Sequence, residues 1–208
     1  MFFEKIINFF DLYHQKRIIN YLKKLKIDYF IDVGAHKGEF LTYILLLNYK
    51  KIYCFEPQKK IFKILHKNFK NKKNVQLFNL GLADKSSKLK FYENKLTSTS
   101  TFLRGNNTLF EKLKNLILNS KNSYIDTYSI NTRKLDEIFI GKKIFNTLLK
   151  IDVEGFELNV LKGAKVTLSK KVKYVLIERH FLRSYKRNSI NKVHLFLIKN
   201  NFKLIKKF

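Results

Sequence analysis

The chain has 208 residues, of which 45% are hydrophobic and 15% aromatic. That is enough for one domain with a full core, and too apolar for intrinsic disorder. The formal charge of +27 comes overwhelmingly from Lys, beside abundant Asn, Ile and Phe, no Trp and one Pro. This joint bias reads as an AT-rich coding background, and the scarcity of Arg argues for a solvated Lys-rich surface over specific nucleic-acid recognition. The single cysteine, Cys54, excludes an intramolecular disulfide and fits a reducing compartment. No run reaches the ~18 apolar residues of a spanning helix. No secretory signal is evident, so a cytoplasmic location is expected.

Residues 3–26 read as an amphipathic helix with Ile6, Ile7, Phe10, Leu12, Ile18, Ile19, Tyr21, Leu22 and Leu25 among its apolar positions. The expectation is a helical extension over 1–26, packed on a sheet edge, ahead of a single domain at 27–208. Contact of its Lys-rich face with a membrane surface stays open. A strand at 28–33 runs into a glycine turn, Gly34 to Gly38, and a helix at 37–48. Lys51 to Glu56 form a second strand, in which Cys54 reads as core. Pro57 suits the first position of the next helix, whose stripe is Ile61, Phe62, Ile64, Leu65 and Phe69. Val75 to Leu80 form a third strand, leading into Gly81-Leu82-Ala83-Asp84.

Leu89 to Glu93 read as a short extra strand. The polar stretch 94–107 reads as a loop, either over the site or as a plain surface insertion. A helix at 108–119 and a strand from Tyr124 to Ile130 follow. Acceptor specificity is expected within 94–123. Leu135 to Phe139 suit a short helix and Thr147 to Asp152 a fourth strand. Val153 to Glu157 turn into a helix carrying Leu158, Val160 and Leu161. Lys173 to Glu178 form a fifth strand, a helix lies near 190–200, and Phe202 to Ile205 read as a terminal strand. Strands alternating with helices predict an α/β fold with a mostly parallel, doubly wound sheet and helices on both faces.

The strand ends carry the chemistry. Asp32, Glu56, Asp152 and Glu178 close four apolar strand patterns, and Asp84 lies just past a fifth. In a parallel sheet these ends share one edge, where ligands bind. An acidic edge in so basic a chain suits a cationic ligand with hydroxyl groups better than a polyphosphate. The Gly-Lys-Ser/Thr ending of a phosphate loop is missing. Glu56 lies about 20 residues past the glycine turn, the spacing at which an acid reaches a ribose.

The segments Phe30-Ile-Asp-Val-Gly-Ala-His-Lys-Gly38, Phe55-Glu-Pro57, Leu82-Ala-Asp84, Leu135-Asp136, Leu149-Lys-Ile-Asp-Val-Glu-Gly-Phe-Glu157, Val160-Leu-Lys-Gly163 and Ile177-Glu178 follow one another in that order. This series resembles the FkbM-type family of S-adenosylmethionine-dependent methyltransferases, over roughly residues 28–180. The resemblance implies a Rossmann-like class I methyltransferase fold and S-adenosyl-L-methionine as cofactor. It implies that the turn from Gly34 through Ala35 and His36 to Gly38 holds the methionine half. Asp32 would act on the ammonium, Glu56 (followed by Pro57) on the ribose hydroxyls, Ala83 and Asp84 on the adenine edge. Asp152 would lie near the sulfonium. The implied reaction is O-methylation of a sugar hydroxyl on a glycan, glycolipid or secondary metabolite.

Such an acceptor must lose a proton during attack. Glu154 is the first candidate base, because it follows Asp152 at the strand exit. His180 is the alternative, and Glu157 and His36 are further candidates. A divalent metal bridging Asp152, Glu154 and Glu178 is the lesser reading, and no metal is expected. Two rival functions are a nucleic-acid methyltransferase, prompted by the charge, and a non-catalytic membrane- or partner-binding module of the same fold. The first lacks an Asn/Asp-Pro-Pro-Tyr motif after strand four; the second has no evident need for Asp32, Glu56 and Asp152 together.

Overall fold

Tyr29–Val33 (β1) is an apolar run with one acid, and every residue from Phe30 to Val33 is buried. A strand covered on both faces must be apolar on both, which is why this segment does not alternate. The structure is a computed structural model that describes residues 13–94, 102, 124–177 and 186–208. A helix at 13–22 (α1) precedes β1. Glu39–Ile44 (α2) continues into a 3-10 turn at Leu45–Leu47, and Lys51–Phe55 (β2), Lys59–Phe69 (α3) and Val75–Phe78 (β3) follow. Gly81–Leu82 (β4), Ser87–Asn94 (β5), Tyr124–Arg133 (β6) and Leu135–Phe139 (α4) come next. The chain then forms Thr147–Ile151 (β7), Glu157–Lys162 (α5), Lys165–Lys170 (α6), Val172–Ile177 (β8) and Lys186–Lys199 (α7).

The central sheet has five strands in the order β3-β2-β1-β7-β8, all parallel. The chain winds outward from β1 to β3, then returns to the other side of β1 for β7 and β8. The order therefore reverses between β1 and β7, and in such sheets the crevice at that switch point is the ligand site. Strand parity sorts the core. Ile31, Val33, Phe55, Leu149 and Ile151 pack on one face with α4 to α6, around Leu135, Phe139, Leu161 and Leu168. Phe30, Ile52, Cys54 and Leu148 pack on the other with Ile18, Ile19 and Leu22 of α1, Leu41 and Ile44 of α2, and Leu65 and Phe69 of α3. Full burial of side chains such as Phe30 and Phe55 contributes about 2–3 kcal/mol each. This is the mostly parallel α/β fold that the alternation predicts, in the Rossmann-like form that the resemblance implies.

A second sheet, β4-β6-β5, joins the first. β5 and β6 pair antiparallel from Ser87↔Thr132 to Glu93↔Asp126, and Gly81 and Leu82 pair parallel with Thr132 and Arg133. β5 is longer than its sequence pattern suggests, because an antiparallel partner satisfies polar strand positions that local patterning scores as loop. Aromatic contacts tie this sheet to the turn after β7. Phe102 lies 4.9 Å from Phe91 and 5.1 Å from Phe156, ring centre to ring centre.

Three expectations need correction. Phe202 to Ile205 form no strand: Asn201 turns left-handed, the Phe202 amide caps the end of α7 on Leu197, and Leu204 and Ile205 are exposed. Pro57 is not the first helical residue, because the Gln58 amide turns to the Glu56 carboxylate and α3 begins at Lys59. Ile64 lies on the exposed side of α3 rather than in its stripe. The predicted helix at 108–119 and the first part of the helix predicted at 3–26 lie outside the described residues, as does the polar stretch 94–107 apart from Asn94 and Phe102. Among the described residues no helix is long and apolar enough to cross a membrane.

Candidate active site

The turn after β1 is built from left-handed backbone. Gly34, His36 and Gly38 have φ of 84°, 49° and 91°. Sequence alone suggests that the glycines supply backbone freedom and let a ligand approach the main chain; the packing adds a second reason. A Cβ on Gly34 would overlap the Asp152 carbonyl oxygen, and one on Gly38 would overlap the Phe69 ring. The first glycine thus lets the β1 turn lie against the end of β7, and the second seats the start of α2 on α3. The Gly34 and Ala35 amides both donate to the Phe55 carbonyl at 3.0 and 3.1 Å, which ties the turn to β2 as well.

Glu56 sits at the exit of β2, 3% exposed. Its Oε2 accepts the His36 amide at 3.0 Å and its Oε1 accepts the Gln58 amide at 2.8 Å. Asn79 fixes the backbone beneath it, donating from Nδ2 to the carbonyls of Glu56 and Pro57. Burial pushes the Glu56 carboxyl up to about 7, although the two amide donors pull it down. The carboxylate is therefore locked in orientation and poised to titrate near neutrality. Each oxygen retains acceptor capacity beyond its amide, which matches two neighbouring hydroxyl donors.

Asp32 lies one pleat inside the end of β1, fully buried, opposite Cys54 on β2 and Lys150 on β7. Its Oδ1 accepts the Lys150 ammonium at 3.1 Å, and its Oδ2 is buried with no hydrogen-bond partner among the described residues. Burial pushes its carboxyl up, against the pull of Lys150. The same ammonium reaches Asp152 Oδ2 at 3.4 Å and lies 5.4 Å from the centre of the Phe40 ring. Asp152 is the accessible member, with a quarter of its side chain exposed. An orphaned buried oxygen beside an accessible carboxylate is a donor-poor, acidic corner, and it fits a cationic ligand group.

The turn after β7 carries its strain on an acid. Glu154 has φ of 53°, a conformation costing on the order of 1 kcal/mol outside glycine, and it is buried. Gly155 follows at φ 103°, and its amide donates to Glu157 Oε1 at 2.8 Å. Glu157 thus braces the turn inside the protein. His36 keeps its ring on Glu39, 3.2 Å from Nδ1 to either carboxylate oxygen.

The structure therefore brings Asp32, Gly34, Ala35, His36, Gly38, Glu56, Pro57, Asp152 and Glu154 to one edge. The contacts of Ala83 and Asp84 run elsewhere along it: the Ala83 amide donates to the Arg133 carbonyl, and a Cβ on Gly163 would overlap the Ala83 carbonyl oxygen. Asp136 is a helix cap, accepting the Val166 and Thr167 amides at 3.1 and 2.7 Å. His180 and Glu178 lie outside the described residues. Among the described residues no group of three or more His, Cys, Asp or Glu is placed to hold a metal ion. Two surface hollows of about 290 and 280 Å³ lie over α3 and beside α1, away from these acids. Sequence reading missed Lys150. Its signal was a lysine inside a buried apolar strand, which requires a buried counter-charge.

A family model described as the methyltransferase FkbM domain matches residues 32–204, from the buried acid of β1 to beyond α7. Comparisons with curated proteins and with solved structures find no match. The matched span contains the whole C-terminal edge of the sheet, and the chain belongs to the FkbM family of methyltransferases.

Proposed function

We propose that the chain transfers a methyl group from S-adenosyl-L-methionine to a hydroxyl of a sugar-containing small molecule or glycan. The observation that carries this reading is Glu56, a buried carboxylate held by two backbone amides at the exit of β2, with both oxygens set to accept from vicinal hydroxyls. The acidic corner of Asp32 and Asp152 supports an ammonium at the neighbouring strand ends, and the His36 turn lies between the two. Ala83 and Asp84 remain the residues proposed for the adenine edge. When bound, the cofactor supplies an electrophilic methyl on a sulfonium, whose departure as a neutral thioether needs no acid.

What remains for the protein is alignment and one proton. Glu154 is the proposed base: it follows Asp152 at the exit of β7, and its strained backbone suits a residue placed for chemistry. His180 is the alternative. The choice of a sugar hydroxyl rests on the family, and the lone buried cysteine supports a reducing, cytoplasmic setting.

The test uses methyl-labelled cofactor with a panel of glycans and glycosides. Label should move to a hydroxyl oxygen in the wild type. Glu154→Gln keeps shape and lowers turnover by about a hundredfold or more while leaving cofactor affinity intact. Turnover at the wild-type rate removes Glu154 from the base role, and transfer only to nucleic acid overturns the acceptor class.

A further inference from the structure

The lysine at the switch point is unexplained by the reaction as written. Lys150 is 7% exposed, on a strand whose five residues are all buried. A buried ammonium needs a reason, because isolated burial of such a group is strongly disfavoured. The β1–β7 register supplies one. Asp32 and Lys150 are direct partners across the parallel pair, so their side chains leave the sheet on the same face, under Phe40. Asp152, two residues on, shares that parity beyond the strand end. One cation thus meets two carboxylates, and with all three groups ionised the trio carries one net negative charge.

We propose that Lys150 is a positioning residue: clamped between Asp32 and Asp152, its ammonium keeps the inner carboxylate charged and the outer one in place, leaving a single negative charge for the amino-acid half of the methyl donor. The proposal rests on the S-adenosylmethionine reading above. Without Lys150, the fully buried Asp32 has no cation among the described residues to oppose its desolvation. Its other charged and titratable neighbours are Asp152 at the end of β7, Glu39 on α2, and Cys54 and Glu56 at β2, and all the carboxylates among them disfavour its ionisation. Asp32 then takes a proton, and the one charge that remains, on Asp152, loses the ammonium that holds it in place. The adenosine half of the ligand, which does not meet this trio in the proposed arrangement, is indifferent to the change.

The experiment is calorimetric titration with S-adenosylhomocysteine and with adenosine, on the wild type, Lys150→Met, Asp32→Asn and the double variant. The double variant removes both buried charges together, so it folds even where a single variant leaves one unpaired. S-adenosylhomocysteine affinity should fall on the order of tenfold or more in all three variants, with the double variant no worse than the singles. Adenosine affinity should stay within about twofold. In Lys150→Met, the ratio of the two affinities should rise with pH as Asp32 ionises, and more steeply than in the wild type, where Lys150 favours the ionised form. Equal losses for both ligands, losses that multiply in the double variant, or unchanged affinity for S-adenosylhomocysteine would each overturn the role of Lys150. A folded wild type that binds neither ligand overturns the cofactor reading itself, and the lysine proposal with it.

Discussion

The two ends of the same sheet treat their acids in opposite ways. At the N-terminal end, Asp28 pairs with the Lys50 ammonium at 2.7 Å and accepts Asn146 Nδ2 at 2.8 Å. The hydrogen bond from Lys50, aided by Asn146, holds its carboxyl below the usual range. At the C-terminal end, Asp32 and Glu56 are buried, and desolvation pushes both carboxyls up. One Asp32 oxygen has no hydrogen-bond partner among the described residues. Asp28 is satisfied at both oxygens and structural. The C-terminal end holds unspent acceptor capacity in a low-dielectric setting, which is what a binding edge requires. An acid at a strand boundary thus means little by itself; its partners and burial decide its role.

The most disruptive way to break this contrast is Gly34→Ala. The added methyl overlaps the Asp152 carbonyl, and the left-handed backbone disfavours any side chain there. The expected loss is about 3 kcal/mol or more, read as a lowered midpoint in urea with an unchanged slope. A loss under about 1 kcal/mol would mean that the β1 and β7 turns are not in the contact described.

Glu56→Gln sharpens the contrast through pH. The folded carboxyl titrates near 7 and the unfolded one near 4.5. The folded state therefore holds the proton more tightly, and stability contributed below pH 4.5 is lost as pH rises toward 7. The loss amounts to up to about 3 kcal/mol. Glu56→Gln should abolish that slope, with the loss of one acceptor for the two backbone amides, as read from melts across the range. An unaltered slope would place the titration elsewhere.

The smallest effect is expected from Asp28→Asn, which has the opposite sign. The Asp28 carboxyl is held low, so its contribution is present above the ordinary aspartate range and lost on acidification. The variant should flatten the acid limb of the same melts slightly and leave ligand affinity untouched. An affinity change would undo the division between the two ends.

Most of the sheet was legible because β1, β2 and β7 are short apolar runs closed by turn residues, and the acids that close them mark the edge without any three-dimensional input. What was not legible depends on partners distant in sequence. Phe202 to Ile205 read as a strand by composition, but a strand needs a ladder partner, and here the chain folds over the end of α7. The β5–β6 pairing joins segments roughly 40 residues apart, which no local period reveals. Gly34 and Gly38 were legible for their backbone freedom, but the groups that exclude a Cβ there, the Asp152 carbonyl just past β7 and the Phe69 ring of α3, are distant in sequence. Lys150 stands inside the motif around Asp152, but its pairing with Asp32 depends on β1 and β7 being neighbours, which no local pattern reveals.

The central claim is that the acids at the C-terminal edge hold the methyl donor, with Glu56 as the ribose anchor. Calorimetric titration of S-adenosylhomocysteine into the wild type and Glu56→Ala addresses it directly. The account predicts saturable binding by the wild type and a loss of on the order of a hundredfold in the variant, since two charge-assisted hydrogen bonds disappear together. Equal affinity in a folded Glu56→Ala would contradict it and move the cofactor away from the exit of β2.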